Sequence, residues 1–490
     1  MSSIDDCLTT QNFGGVDETV VTRDLLTLER ALGILREETI AFIGYGSQGP
    51  GQSQNARDNV RKHNGNLKII VGQRQGTPTW DKAVADGWEP GKTLFDIEDA
   101  AERGTIVANL LSDAAQKLTW NRINPHLHER NLLYFSHGFG PHFSQHTGIV
   151  PPEFVDLGMI APKGAGLSVR KNYSNGRGIN SSFAIGQNYT GRALERTLAM
   201  GVLIGSGYLF QTTLRNEVVS DHFGERAILL GGIWALAEAS YQTLREEGHT
   251  ADRSFIHSSE QITQVILPLI GKEGLTGIYE RAQKAGQLGT VLKYQDAVKK
   301  ATKPVMNKLY KSCANGTEAK IALERNSQEG YRVGLDKELD TIENSEMWKT
   351  GELVRTSITD RTYGEGITNW GLAGAVLGMI EAQYQTLIDN GHTPSEAANE
   401  TVEELTQSLN QFYQEKGAAY LLRVCSTTAQ RGALNWGPIF RKVIYDVLKN
   451  LDVGYNVTDV LANRIYRPTN PEVWSVMNTV RELRPENQRR

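Results

Sequence analysis

Cysteine and long apolar runs are both scarce in this 490-residue sequence. Its three cysteines, Cys7, Cys313 and Cys425, show no C-x-x-C spacing, which excludes a disulfide framework and argues against a structural zinc site. The longest apolar stretches, such as AILLGGIWALA from Ala227, fall short of the roughly 20 residues that a membrane-spanning helix needs. We therefore expect a soluble protein of a reducing compartment, with no membrane partner.

The net charge of the chain is also small, because basic and acidic residues nearly balance. The chain carries 52 basic and 56 acidic residues, a formal net charge of −4, and has a mean hydropathy of −0.39. This balance gives no support for binding nucleic acid. The first residues, MSSIDDCLTT, resemble neither a signal peptide nor a transit peptide. The expected location is the cytoplasm if the source is bacterial, and the plastid or mitochondrial matrix, with the transit peptide absent, if it is eukaryotic.

The chain divides into two parts with different hydrophobic periodicity. The first part alternates short β-rich apolar runs with helical stretches, which is typical of a parallel sheet with crossover helices and predicts an α/β Rossmann-type domain over 18–212. Beyond Arg215, apolar residues recur at every third or fourth position, which predicts an all-α remainder. The predicted strands are TIAFIGYG, LKIIVGQR, GTIVANLLSD, NLLYFSHGF, VDLGMIAPKG and INSSFAIG.

The helical part contains an internal repeat. Residues 241–250 read YQTLREEGHT, and residues 384–393 read YQTLIDNGHT, an offset of 143 (384 − 241). Near the ends of the two copies, Trp348 and Trp474 correspond at an offset of only 126 (474 − 348), so the second copy is the shorter one. We expect a duplicated helical domain, with its first unit over 213–356 and its second over 357–487.

A glycine-rich turn follows the first predicted strand. In AFIGYGSQGPGQSQNARDNV, Gly44, Gly46 and Gly49 have G-x-G-x-x-G spacing between an apolar strand and a helical stretch. These glycines allow a tight turn and bring the backbone close to a pyrophosphate, whose charge faces the helix N-terminus. The context favours a dinucleotide site over an ordinary glycine-rich turn.

The end of the second predicted strand bears on the choice of dinucleotide. The strand LKIIVGQRQGTPTW ends without the acidic residue that binds a ribose 2′-hydroxyl. It has instead Arg74, with Thr77 and Thr79 nearby, and these residues suit a 2′-phosphate. NADPH is therefore favoured over NADH, the alternative being a solvated loop with one arginine.

Two acid pairs with helical spacing lie in different copies of the repeat. Asp221 and Glu225 in SDHFGER, and Glu396 and Glu400 in TPSEAANETVEE, are each four residues apart and so project from one helix face. Such pairs are common on solvated faces. If the two pairs converge, their four hard oxygen donors suit Mg²⁺.

The repeat offset favours one composite site over two solvated faces. Each copy has acids where the other has none, which is what a site shared by two degenerate copies would leave. At the offset of 143, Asp221 and Glu225 correspond to Gly364 and Thr368, and Glu396 and Glu400 correspond to Arg253 and His257.

These motifs together resemble the ketol-acid reductoisomerase family, in its long class II form. The residues that carry the resemblance are GYGSQGPGQSQNARDN, LLSDAAQ, SHGF, APKGAG, GINSSFA, SDHFGER, the E-x-x-x-E of SEAANE, CSTTAQRGAL and ELRPEN, in the expected order. The resemblance implies a deeply knotted helical domain, although true knots are rare in proteins. It also implies a homo-oligomer in which each active site is built within one chain.

The resemblance implies a two-step reaction on a small acetohydroxy acid. A Mg²⁺-dependent alkyl migration in 2-acetolactate or 2-aceto-2-hydroxybutyrate is followed by reduction with NADPH. Two Mg²⁺ ions would be held by Asp221, Glu225, Glu396 and Glu400, and Ser426 would hold the substrate carboxylate. Carried over by motif, His137, Lys163 and Glu400 would be catalytic, and the NADPH contacts would be Tyr45, Gly46, Ser47, Gln48, Arg74, Thr77, Thr79, Ser112, Asp113, Gln116 (or Ala115) and Gly166.

Two other interpretations remain open at this point. A Rossmann enzyme of the β-hydroxyacid dehydrogenase type would need no metal and would carry its catalytic lysine on the helical domain. A regulatory protein that binds a nucleotide would leave the acid pairs exposed and uncoupled. The acid pairs in both helical units favour the reductoisomerase interpretation.

Overall fold

The computed structural model describes residues 3–63, 65–357, 366–451 and 471–488. Its N-terminal part is built around one ten-stranded sheet, with the strand order β1-β2-β10-β9-β8-β7-β6-β3-β4-β5. The strands are Thr9–Phe13 (β1), Val16–Val21 (β2), Thr39–Ile43 (β3), Lys68–Gly72 (β4), Leu94–Phe95 (β5), Ile106–Asn109 (β6), Leu132–Phe135 (β7), Asp156–Pro162 (β8), Ser181–Gln187 (β9) and Leu209–Gln211 (β10).

The sheet is mixed, whereas the sequence pattern predicted a parallel one. Strands β3 to β8 run parallel to one another, as predicted. Strand β9 pairs with β8 in the antiparallel direction, and the hairpin of β1 and β2 joins through β10. A buried apolar run has the same appearance in either direction, so the orientation of β9 could not be predicted from its composition.

Helices cover both faces of the sheet and bury separate apolar layers against it. In the doubly wound part, β3 lies between β4 and β6, so the chain reverses its winding direction there. Ligands bind in the crevice that such a reversal opens at the carboxyl ends of the strands. The helices of this part are Leu28–Leu35 (α1), Gln48–Lys62 (α2), Pro78–Ala85 (α3), Ile97–Arg103 (α4), Asp113–Ile123 (α5), Phe139–His142 (α6), Ser144–Thr147 (α7), Gly166–Ser174 (α8) and Ala193–Leu203 (α9), with 3₁₀ turns at Ile4–Cys7 and Asn124–His126.

From residue 214 onward, the described chain is helical. Three π-helical segments, Glu225–Gly232, Ile256–Ile266 and Asn399–Leu409, interrupt the α-helices. The α-helices are Leu214–Gly224 (α10), Ile233–Glu246 (α11), Ala251–Phe255 (α12), Leu267–Lys284 (α13), Leu288–Ala314 (α14), Thr317–Asn326 (α15), Tyr331–Glu343 (α16), Glu346–Ser357 (α17), Trp370–Asp389 (α18), Pro394–Ala398 (α19), Asn410–Lys416 (α20), Ala418–Val424 (α21), Thr427–Asn450 (α22), Pro471–Glu482 (α23) and Pro485–Gln488 (α24).

The repeat in the sequence is also a repeat in the structure. Helix α12 and the π-helical segment after it recur 143 residues later as α19 and the segment Asn399–Leu409. Gly274 and Gly417, which correspond at the same offset, both adopt positive φ angles, +76° and +86°. The limits predicted for the two units stay predictions.

The two copies of the repeat are interleaved. A Cβ atom on Gly417, in the second copy, would lie 2.8 Å from the Trp348 ring of the first copy. A Cβ atom on Gly274, in the first copy, would lie 3.2 Å from Asn478 Oδ1 of the second. Each glycine bend therefore packs against the last helices of the other copy. The predicted knot stays a prediction.

Within the described residues, no helix is long and apolar enough to span a membrane.

Candidate active site

The glycine loop joins β3 to α2. Gly44 has a φ of +103°, which L-residues rarely adopt. A Cβ atom on Gly49 would lie 2.1 Å from the Gly44 carbonyl oxygen, so the first turn of α2 packs directly on the end of the strand. Nothing in the described part of the chain lies within 4 Å of a Cβ built on Gly46, so that side of the loop is open. An open backbone face at a helix N-terminus is suited to a pyrophosphate.

The segment that carries Lys163 docks onto this loop. A Cβ atom on Gly166 would lie 1.8 Å from the Ser47 carbonyl oxygen, and Gln48 Nε2 donates a hydrogen bond to the Gly164 carbonyl at 3.0 Å. Three of the predicted contact positions, Ser47, Gln48 and Gly166, therefore form one contiguous surface. Lys163 lies one residue before this contact.

The predicted 2′-phosphate loop has an exposed cation and an internal polar network. Gln73 Nε2 donates to Thr79 Oγ1 at 2.6 Å, and Thr77 caps α3 through its hydroxyl. These bonds hold the loop in shape. The Arg74 side chain is exposed at the beginning of the loop.

Two of the predicted NADPH contacts have side chains that turn into the protein. The Tyr45 hydroxyl donates to Asp86 Oδ2 at 2.8 Å, and Tyr45 is 1% exposed. Gln116 Nε2 donates to the Leu111 carbonyl at 2.8 Å, and this residue is also buried. Their predicted contact with NADPH stays a prediction.

Asp113 joins the two parts of the molecule. Ser112 is the N-cap of α5, and the carboxylate of Asp113, in the first turn, accepts a hydrogen bond from Thr428 Oγ1 at 2.6 Å. Burial raises the pKa of Asp113. The structure therefore places this carboxylate against α22, between the nucleotide domain and the helices.

Acidic side chains from both repeats converge near Lys163. Asp221 lies in α10 and Glu225 begins the π-helical segment after it, whereas Glu400 and Glu404 lie in the π-helical segment Asn399–Leu409. Oxygen atoms of Asp221, Glu400 and Glu404 all lie within 4.8 Å of one another. Burial and the neighbouring Asp221 raise the pKa of Glu225 well above its usual value. These four residues form the carboxylate cluster.

The carboxylate cluster holds its acidic groups too close together for all of them to ionise readily without a cation. Burial and the other carboxylates raise the pKa of Glu404 well above its ordinary value, and burial raises that of Glu400 to about 8. Oε2 of each of these two glutamates is buried without a hydrogen-bond partner among the described residues. Buried, unpartnered carboxylate oxygens fit a cation, and four hard oxygen donors fit Mg²⁺.

Three charged side chains lie in a row beside the carboxylate cluster: Lys163, Glu217 and His137. Lys163 Nζ lies 2.6 Å from Glu400 Oε1 and 3.2 Å from Glu217 Oε1. His137 Nδ1 lies 3.1 Å from Glu217 Oε2 and 3.5 Å from Asp221 Oδ2. Glu217 was not among the predicted site residues. Glu217 precedes Asp221 by four positions, the same spacing that separates Asp221 from Glu225. A search for a further acid at this spacing on the N-terminal side would have found it.

The side chains of Lys163, Glu217 and His137 are all ionised at neutral pH. Burial opposes charge on Glu217, but Lys163 and His137 overcome it and lower the pKa of Glu217 to about 2. Burial likewise opposes charge on the two cations. The carboxylates nevertheless raise the pKa of His137 to about 10, and that of Lys163 well above its usual value. The site therefore holds two fixed positive charges next to the carboxylate cluster.

Glu396, predicted as a metal ligand, lies outside the carboxylate cluster. Its carboxylate oxygens are 2.7 Å from Thr212 Oγ1 and 2.9 Å from His392 Nδ1. The fourth carboxylate of the cluster is Glu404 instead. The repeat could have revealed it, because at the offset of 143 Glu404 corresponds to Gln261, another position where one copy has lost its acid.

The turn before α22 borders the carboxylate cluster. Burial and the carboxylates of Glu225, Glu404 and Asp221 raise the pKa of the Cys425 thiol well above its usual value. The next residue, Ser426, caps α22. The predicted contact of Ser426 with a substrate carboxylate stays a prediction.

The equivalent place in the other half of the repeat contains no acids among its described positions. Thr368, His257 and Gln261 correspond by the offset to Glu225, Glu400 and Glu404, whereas Gly364 lies outside the described residues. His257 Nδ1 lies 2.8 Å from Thr368 Oγ1, and the Thr368 amide donates to Gln261 Oε1 at 2.8 Å. Neutral hydrogen bonds thus replace the second set of carboxylates.

The fold and the site together define a nucleotide-dependent enzyme whose helical domain holds a carboxylate cluster suited to divalent metal. The family model described as "Acetohydroxy acid isomeroreductase, NADPH-binding domain" matches residues 34–208. The model described as "Ketol-acid reductoisomerase, C-terminal domain" matches 214–360 and 368–486. The chain belongs to the ketol-acid reductoisomerase family, which excludes both alternatives left open by the sequence.

Relatives of known identity agree with this assignment. "Ketol-acid reductoisomerase, mitochondrial" from Saccharomyces cerevisiae is 48% identical over 70% of this chain and 85% of that protein. "Ketol-acid reductoisomerase (NAD(+))" from Desulfosudis oleivorans is 46% identical over 71% of this chain and 96% of that protein. "Ketol-acid reductoisomerase, chloroplastic" from Pisum sativum is 33% identical but covers 97% of this chain and 82% of that protein.

A solved structure is also similar. It is titled "Structure of NADH-preferring ketol-acid reductoisomerase from an uncultured archean" and superimposes with a TM-score of 0.59 at 29% identity. The match covers 67% of this chain and 97% of the other. Over the matched part, this chain therefore shares its fold with a ketol-acid reductoisomerase.

Proposed function

We propose that this chain converts 2-acetolactate or 2-aceto-2-hydroxybutyrate into 2,3-dihydroxy-isovalerate or 2,3-dihydroxy-3-methylvalerate by Mg²⁺-dependent alkyl migration and NADPH reduction. These products belong to valine, isoleucine and leucine biosynthesis. The observation that carries the proposal is the convergence of carboxylates from both repeats, with Lys163 and His137 beside them.

Asp221, Glu225, Glu400 and Glu404 would hold two Mg²⁺ ions. The donor set supports this proposal, because its oxygens are hard ligands and two of them are buried without a partner among the described residues. When bound, the ions supply Lewis acidity, which polarises the substrate carbonyl and stabilises negative charge on the neighbouring oxygens.

Lys163 and Glu400 supply the charge and the proton transfer that the migration needs. Lys163 is buried and positively charged, and it holds Glu400 at 2.6 Å. An ammonium group in this position stabilises negative charge that develops on a nearby substrate oxygen. Glu400 lies between Lys163 and the proposed metal donors, where it would accept or return the proton of the substrate hydroxyl. Glu217 keeps Lys163 and His137 in place.

NADPH is the proposed hydride donor. The glycine loop would receive its pyrophosphate, and the exposed Arg74 would pair with its 2′-phosphate. The relative from D. oleivorans has NAD(+) in its name. The loop of the present chain has an arginine where an acidic residue would favour NADH, and this supports NADPH as its cofactor.

The decisive test measures NADPH oxidation with 2-acetolactate, with and without Mg²⁺. We expect turnover that stops when EDTA removes the metal and resumes when Mg²⁺ is restored. An enzyme that oxidises no NADPH with metal and substrate present would contradict the proposal.

We also propose that the protein assembles into a homo-oligomer in which each active site lies within one chain. Its proposed location is an organelle or a bacterial cytoplasm.

A further inference from the structure

One buried amide side chain bridges the two helical segments that carry the carboxylates. Gln383 lies in α18 and is 0% exposed. Its Oε1 accepts a hydrogen bond from the Ile228 amide at 2.8 Å, three residues after Glu225. Its Nε2 donates to the carbonyl of Glu400 at 2.8 Å. A single side chain thus connects the backbones beside two ligands from different repeats.

The segment after Glu225 needs such a partner. Ala227 has φ −84° and ψ −122°, which is not helical and interrupts the segment. Buried amides next to such a break require a partner other than the regular helical ladder. Gln383, in the second repeat, supplies this partner to the Ile228 amide.

The space around the bridge leaves little room for a side chain. A Cβ atom on Gly224 would lie 3.4 Å from Gln383 Nε2 and 3.2 Å from the Glu400 carbonyl oxygen. Gly224 immediately precedes Glu225. The glycine therefore lets the two segments approach closely, and the glutamine holds them at that distance.

We propose that Gln383 is a positioning residue of the metal site, which sets the distance between the ligands of the first repeat and those of the second. The inference rests on the proposed Mg²⁺-dependent function. The repeat supports a specific role, because the equivalent residue of the first copy is Ser240, whose side chain is too short to bridge two segments in this way. A residue that fixes its ligands' backbone controls affinity for the metal without touching it.

The test compares Gln383→Leu with wild type by calorimetric titration of Mg²⁺ into the metal-free enzyme. Loss of a residue that orients metal ligands lowers metal affinity by about 10-fold to 100-fold. We expect a loss of this size, with unchanged NADPH affinity and with activity largely restored at high Mg²⁺ concentration. Gln385→Leu is the matched control, since Gln385 lies in the same helix and bonds the exposed Asp389.

The outcomes separate this inference from the proposed function. A wild-type enzyme that binds no Mg²⁺ would contradict the function itself. A folded Gln383→Leu variant with wild-type Mg²⁺ affinity would overturn the role of Gln383. If that variant does not fold, Gly224→Ala disturbs the same bridge from the other side. Wild-type Mg²⁺ affinity in Gly224→Ala would overturn the inference as well.

Discussion

At the scale of residues, the second repeat shows how neighbouring acids acquire different roles. Glu396 is hydrogen-bonded by Thr212 and His392. Glu403 pairs with Arg484 at 2.5 Å. Glu404, the next residue, faces Asp221 and Glu400 instead. Spacing of four residues selects several of these glutamates equally, so the choice among them depends on which carboxylate finds a neutralising partner.

The first prediction separates Glu404 from Glu396. Glu404→Gln removes a proposed ligand, and we expect kcat to fall about 100-fold or more, because one lost electrostatic contact to the transition state costs that much. Glu396→Gln is the isosteric control in the same repeat and should keep activity within about 10-fold, since effects beyond the direct ligands are smaller. Steady-state kinetics at saturating Mg²⁺ measure both, and a Glu404→Gln enzyme with wild-type kcat would refute the assignment.

A second prediction concerns Arg74 and the choice of dinucleotide. Arg74→Ala should raise KM for NADPH about 10-fold to 100-fold, which corresponds to losing one charge-assisted hydrogen bond, and should leave KM for NADH unchanged. Arg36→Ala, at another exposed arginine, provides the control. Equal effects on the two cofactors would show that Arg74 does not contact the 2′-phosphate.

At the scale of elements, the apolar strands were predictable and the π-helical segments were not. Strands β3, β4 and β6 to β9 correspond to the predicted apolar runs, whereas β5 and β10 are too short to have a pattern. Glu396 lies in α19, before the change from α-helix to π-helix at Asn399. Glu400 and Glu404 both lie within this π-helical segment. Glu396 and Glu404 are each four residues from Glu400, so a rule of helical spacing could not choose between them.

A third prediction concerns how the segment with Glu400 is anchored to the sheet. Glu18 in β2 accepts hydrogen bonds from the amide and the hydroxyl of Ser395 at the beginning of α19. Glu18→Ala would leave both donors buried and unpaired, which costs about 1–3 kcal/mol. Thermal unfolding should show a lower midpoint. Glu37→Ala, at an acid with an 83% exposed side chain, should change the midpoint little, and equal midpoints for the two variants would contradict this role.

At the scale of the whole molecule, the duplication brings acids of both copies together within one chain. The sequence was sufficient for this conclusion because acids were lost reciprocally between the copies. It could not reveal Glu217 and Lys163 as partners, since their contact joins positions 54 residues apart in different domains. It also could not reveal the hydrogen bonds of His257 with Thr368 that replace the second site.

The most direct test of the composite site is a double-mutant cycle across the repeats. Asp221→Asn alters the first repeat and Glu404→Gln the second, and the rate of Mg²⁺-dependent NADPH oxidation is measured for each variant and for the pair. Residues that act as one unit are strongly non-additive. We predict that the double variant loses no more activity than the more damaged single variant. Losses that multiply would show that the two carboxylates act independently and would contradict a site shared by the two repeats.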